Sequence, residues 1–229
     1  MTMKRLLILV EGQTEKRFVT DLLEPHLAGF GLFPVPKIVV TGRTNDGTQF
    51  QGGILSFAQV EANLRPLFND SAAALVTTMM DYYGLPGDFP GWESLPPGSP
   101  QERVHHLEAA LGKYFNQPRF HPYLMLHEYE AMVFVQPEAI CRVLNTPALK
   151  PVLDRVRSQF PNPEEINDDR KTAPSKRLLA AHAAYRKRQH GVEVLQSIGL
   201  EEIRKNCPHF RQWLEVLEST GRRPAQQSP

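Results

Sequence analysis

Four acidic residues stand where short apolar runs stop: Glu11, Asp81, Glu128 and Glu130. Glu11 follows Arg5-Leu6-Leu7-Ile8-Leu9-Val10, Asp81 follows the run 72–80, and Glu128 and Glu130 follow 120–126. A carboxylate is costly to bury without a partner, so acids at these places are poor core filler. If the three runs are neighbouring parallel strands, their carboxyl ends meet at one rim, where open α/β sheets place their ligands. Carboxylates crowded into one cleft repel one another unless a positive charge sits between them. Mg²⁺ or Mn²⁺ suits that role, because each is a hard cation that prefers oxygen ligands and keeps waters for a substrate phosphate. A pair of such ions can stabilise both the attacking and the leaving oxygen of phosphodiester cleavage.

Each acid also has a plainer role open to it. Glu11 could pair with a lysine or cap the helix that follows, where its charge favours the positive dipole end; within an enzyme it could alternatively act as a general base on water. Asp81 could be a turn residue in a Pro/Gly-rich segment. Glu128 and Glu130 share a face only in extended backbone; the strand's end favours Glu128, and Glu130 suits the start of the next helix. His127 reads as a hydrogen-bonding residue and Glu15 as a solvated helix residue.

The positive half of a site comes from 167–177. Thr172 or Ser175 would cap a helix beginning near Lys176, and Ser175, Lys176 and Arg177 would form a phosphate site at its start. Basic residues there oppose the helix dipole unless an anion is present. Asp168 and Asp169 could pair with these bases or join the metal cluster, and the plainer alternative is a solvated, charged loop. The basic stretch 185–190 fits either a nucleic-acid backbone contact or a solvated helix end. Tyr82, Tyr83, Phe89 and Trp92 could stack on bases, although packing is the expectation for at least two of them.

The elements that must position these residues alternate. Apolar runs at 5–10, 34–40, 72–80 and 120–126 read as strands, and 14–28, 56–68 and 101–115 carry helical periodicity. Between them lie a Gly-rich loop at 41–53 and a Pro/Gly-rich flap at 82–100. The alternation predicts an α/β fold, a mostly parallel sheet flanked by helices. We place this core at 1–136, a helical C-terminal subdomain packed on it at 137–220, and a disordered tail at 221–229.

The chain's 229 residues fit one large domain or a core with an appendage. With a net charge of +1, any nucleic-acid contact must use a local patch. Cys141 and Cys207 have no metal-binding spacing and read as reduced and structural. No apolar stretch is long enough to span a bilayer, and the run before Glu11 is too short for a signal peptide, so we expect a cytoplasmic protein. No P-loop, Rossmann glycine pattern, zinc pattern or Ser/His/Asp set is present.

The segments Leu9-Val10-Glu11-Gly12-Gln13-Thr14-Glu15, Met79-Met80-Asp81-Tyr82-Tyr83-Gly84, His127-Glu128-Tyr129-Glu130-Ala131 and Thr172-Ala173-Pro174-Ser175-Lys176-Arg177 together resemble the DUF4276 family. That family is similar to a divergent branch of the Toprim fold, found in topoisomerases, bacterial primases and OLD-type nucleases. The resemblance implies a Toprim-like sheet and an acidic metal cluster. In it Glu11 matches the Toprim glutamate and Asp81 the first aspartate of Asp-x-Asp. Tyr83 replaces the second aspartate, and a tyrosine cannot hold a hard cation near neutral pH. Glu128 or Glu130 would supply the missing ligand, and Lys176 would meet the scissile phosphate. The resemblance further implies an Mg²⁺- or Mn²⁺-dependent nuclease acting on DNA or RNA, a hydrolase partnered with an AAA or SMC-like ATPase in phage defence. The alternative is a non-catalytic module that binds nucleotide or nucleic acid, or docks on an ATPase.

Overall fold

The structure, a computed structural model, describes residues 3–43, 49–51, 53–126, 128–166 and 172–221. His127, Asp168, Asp169 and the tail beyond 221 lie outside them. Its main sheet contains β1 (Lys4–Val10), β2 (Leu32–Ile38), β5 (Ala73–Asp81), β6 (Phe120–His121) and β7 (Leu124–Met125). The order is β2-β1-β5-β6, with β7 also on β5, and every pairing is parallel.

Both faces of this sheet are covered, which explains the uninterrupted apolar runs. Leu6, Ile8 and Val10 face one core, and Leu7 and Leu9 face the other. The first core is built with the helical stretch 13–28 and the helices after 136. That stretch consists of α1 (Gln13–Phe18), a π-helical turn Val19–Leu23 and α2 (Glu24–Ala28). The second core is built with α3 (Phe57–Phe68), α4 (Pro100–Phe115) and the flap, whose Tyr82, Leu85 and Phe89 are buried. Phe89 meets Phe57 edge-on, with ring centroids 5.6 Å apart. Ser99 and Glu102 form a capping box that fixes where α4 begins.

Four elements depart from expectation. β2 lies two residues earlier than the run 34–40, because Leu32 enters the core while Pro34 and Pro36 are accommodated at the sheet's edge. The loop expected at 41–53 contains an antiparallel pair, β3 (Val40–Arg43) and β4 (Gln49–Gln51). The strand expected at 120–126 breaks into β6 and β7 around Pro122, which has no N–H for the ladder. Buried threonines of β5 repair the break: Thr77 Oγ1 donates to His121 O (2.6 Å), and Thr78 Oγ1 accepts from Tyr123 N (2.9 Å). The helix expected after His127 is a 3₁₀ run, Tyr129–Val135.

The C-terminal segment supplies α5 (Pro137–Val143), α6 (Lys150–Arg157), α7 (Pro174–Ala181), α8 (Val192–Ile198), α9 (Leu200–Asn206) and α10 (Pro208–Gly221). Phe210, Trp213, Leu214 and Leu217 of α10 share a core with β1 and β5. Trp213 stacks on Tyr123 at 4.4 Å, and its indole N–H donates to Thr77 Oγ1 at 2.9 Å. On the free side of β7, Leu124 N donates to Glu108 Oε1 (2.8 Å), while His209 Nε2 lies 3.1 Å from Leu124 O. No described helix is long and apolar enough to cross a membrane.

Trp213→Ala leaves a large cavity and removes the N–H that Thr77 Oγ1 accepts. It should lower stability by about 3–5 kcal/mol, measured as a shift in the chemical-denaturation midpoint with the slope unchanged.

Candidate metal centre

Parallel pairing of β1 with β5 puts Val10 opposite Met79, so both chains leave the sheet at the same level. Glu11 and Asp81 are thereby side by side, and Asp81 N donates to Glu11 Oε2 at 3.3 Å. Gly84 passes directly over Glu11; a Cβ there would lie 3.1 Å from Oε2. β7 reaches the same level, with Met125 opposite Asp81, and delivers the next segment onto it. Tyr129 N donates to Asp81 Oδ1 (3.3 Å). Glu128 Oε2 accepts from Ser175 N of α7 (3.1 Å).

Glu11, Asp81, Glu128 and Lys176 line one open cleft of about 360 Å³, together with Tyr83, Gly84 and Ala173. Four of the residues singled out in the sequence therefore converge. Glu130 does not line this cleft. It is fully buried behind it, and its Oε2 is 2.9 Å from Lys187 Nζ. Lys187 Nζ also lies 3.6 Å from Asp81 Oδ2. Arg177 points elsewhere: its Nε donates to Thr172 O (2.7 Å), and its guanidinium lies over the Phe160 ring. Ser175 meets Glu128 through its backbone, and the residue at the N-cap of α7 is Ala173 rather than Thr172 or Ser175.

Two residues of the centre were read differently from sequence. Glu15, expected in solvent, is 4% exposed. It falls on the Phe18–Val19–Leu22 stripe of its helix, a periodicity that marks it as inward-facing. Lys187 was one of several bases in 185–190. Arg186 and Arg188 beside it are exposed, and nothing local separates the three. Of the flap aromatics, Tyr82 and Phe89 are packed in the core, while Tyr83 borders the cleft.

The electrostatics are those of crowded acids. Burial raises the Glu11 carboxyl above its ordinary value and Glu15 adds to the rise, against the Asp81 N–H and Lys187. Burial likewise raises Asp81 well above the ordinary range; Lys187 opposes this, and Glu11, Glu15 and Glu130 reinforce it. Burial pushes Glu130 up to about 7 despite Lys187. For Lys187, burial alone would favour the neutral amine, but Asp81, Glu130 and Glu15 reverse this and hold it protonated. A set of carboxylates that resist ionisation together fits a divalent cation, whose charge would relieve them.

A second cluster, His105, Glu108 and His209, has ligand atoms within 4.8 Å of one another. Imidazoles of this kind suit zinc or nickel rather than magnesium. Glu108 and His209, however, already serve the backbone of Leu124.

A family model described as a domain of unknown function (DUF4276) matches residues 10–218. The chain belongs to the DUF4276 family. The match includes every residue of the acidic cleft in this DUF4276 domain. Among solved structures, the chain is similar to the C-terminal region of the Burkholderia pseudomallei OLD protein. The two are 16% identical with a TM-score of 0.46, over 95% of this chain and 98% of that one. It is also similar to the C-terminal region of the Xanthomonas campestris pv. campestris OLD protein. There the identity is 14% and the TM-score 0.35, over 94% of this chain and 98% of that one. No curated protein matches the chain.

Glu130 makes stability depend on pH. With its carboxyl raised from 4.5 to about 7, the folded chain binds more protons than the unfolded chain between those values. Stability should therefore fall as pH rises through that window and stay lowered above it. Denaturant titrations from about pH 4 to pH 8 should show the decline, and Glu130→Gln should reduce it.

Proposed function

We infer that this DUF4276 domain is a Toprim-like, divalent-metal-dependent phosphodiesterase acting on nucleic acid. The observation that carries the reading is the meeting of Glu11, Asp81 and Glu128 with Lys176 in one open cleft at the carboxyl end of a parallel sheet. Glu11, Asp81 and Glu128 are the residues that would hold Mg²⁺ or Mn²⁺. The ion supplies Lewis-acid charge to a phosphoryl oxygen and lowers the pKa of a bound water.

The chain's own groups then divide the work. Lys176, exposed at the rim, offers an ammonium to a phosphate oxygen of the backbone. Ser175 N–H is given to Glu128, so the first turn of α7 orients a carboxylate and leaves Lys176 as the phosphate contact. Glu11, with its raised carboxyl, is positioned to take a proton from water when it is not a ligand. Tyr83 borders the cleft where a base or sugar would lie.

A second reading, a binding or docking module without catalysis, is favoured by Tyr83 in place of a carboxylate. An ATPase partner and a role in phage defence extend the first reading by family resemblance, a cytoplasmic location rests on the lack of a long apolar run, and copurification tests the partner.

With Mg²⁺ or Mn²⁺, the protein should cleave labelled DNA or RNA. Glu11→Gln and Asp81→Asn should lower the rate by on the order of 10²-fold or more. Lys176→Ala should weaken substrate binding more than the chemical step. Equal cleavage by wild type and both acid variants discards the enzyme. Metal and nucleic-acid binding without any cleavage supports the second reading.

A further inference from the structure

We propose that Lys187 is a permanent cation of the acidic centre, filling the place of a second divalent ion, so that the cleft takes a single Mg²⁺ or Mn²⁺. This rests on reading the cleft as a metal centre, but it concerns how many ions that centre accepts.

The carboxylates fall into two halves that share Asp81. One half opens to the cleft: Glu11, Asp81 and Glu128 line it. The other half is closed: Glu130 is fully buried and absent from the cleft wall. Between Asp81 and Glu130 lies one ammonium, 3.6 Å from Asp81 Oδ2 and 2.9 Å from Glu130 Oε2. A cation bridging two carboxylates at such distances does what a second ion does in a two-metal site, where ions sit ~3.5–4 Å apart around a shared ligand. Lysine is suited to this, being a compact point charge that needs no particular coordination geometry.

The lysine is also held in place from behind. It begins a five-residue π-helical turn, Lys187–Gly191. Arg17 Nη1 of α1 donates to Arg188 O (3.1 Å), and Arg186 N donates to His190 Nδ1 (3.0 Å). Gly191 lies so close to Tyr185 that a Cβ there would be 3.0 Å from its hydroxyl. The turn is thus tied to α1, the helix that brings Glu15 to the same place.

The test is the number of Mn²⁺ ions bound by the full chain, from isothermal titration calorimetry. The ions counted are those that Asp81→Asn abolishes, because Asp81 belongs to both halves. Wild type should bind one, and Lys187→Met should bind two, the second held by Glu130 and Asp81. If Lys187→Met does not fold, the electron paramagnetic resonance spectrum of Mn²⁺-loaded wild type decides, because one isolated ion and a coupled pair differ. Two ions, or a coupled pair, in wild type overturn the proposal and leave the metal-centre reading standing. One ion in both proteins also overturns it. No Asp81-dependent ion in wild type overturns both.

Discussion

Carboxylates gathered at one sheet rim must be held against their own repulsion, and the rest of this structure answers to that demand. Glu11, Glu15 and Glu130 each raise the cost of ionising Asp81. One ammonium, Lys187, is placed among them from a turn far along the chain. Backbone N–H groups do the finer work. Asp81 N serves Glu11, Tyr129 N serves Asp81, and Ser175 N serves Glu128. Hydrogen bonds to a carboxylate favour its charged form, so the acids are partly compensated without any added ion. What is left over is negative charge facing an open cleft.

The C-terminal helices are part of this arrangement. α7 supplies the N–H that orients Glu128, the turn before α8 supplies Lys187, and α10 locks β5 through Trp213 and Thr77. The sheet alone would bring Glu11 and Asp81 together, because parallel register fixes them. It would not orient Glu128 or neutralise Glu130. Site and C-terminal segment are therefore one object energetically.

The legible part of the sequence was the part written locally. β1 and β5 announce themselves as apolar runs buried on both faces, and the acids at their ends mark the rim. Helices α3 and α4 follow from their periodicity. Lys187 was illegible because its partners, Asp81 and Glu130, are distant in sequence and its neighbours Arg186 and Arg188 look the same as it does. Glu15 was legible in principle from its place on an apolar stripe, but its charge argued for solvent and burial among other acids won. The break at Pro122 was overlooked because threonine hydroxyls from β5 restore what the proline removes, a tertiary repair that no local pattern records.

The two prolines of β2 bear on how this protein meets others. Pro34 and Pro36 lie opposite Leu6 and Ile8 in the outermost strand. Sharing one parity, they turn their missing donors away from β1, so the outer margin offers carbonyls there with no N–H between them. An incoming strand cannot zip onto such a margin. Growth of the sheet by β-augmentation, whether by a second copy or by an extended peptide, is thereby discouraged along this side. An assembly that recruits this domain from this side must grip it by helices and side chains, leaving the acidic rim unencumbered by added strands.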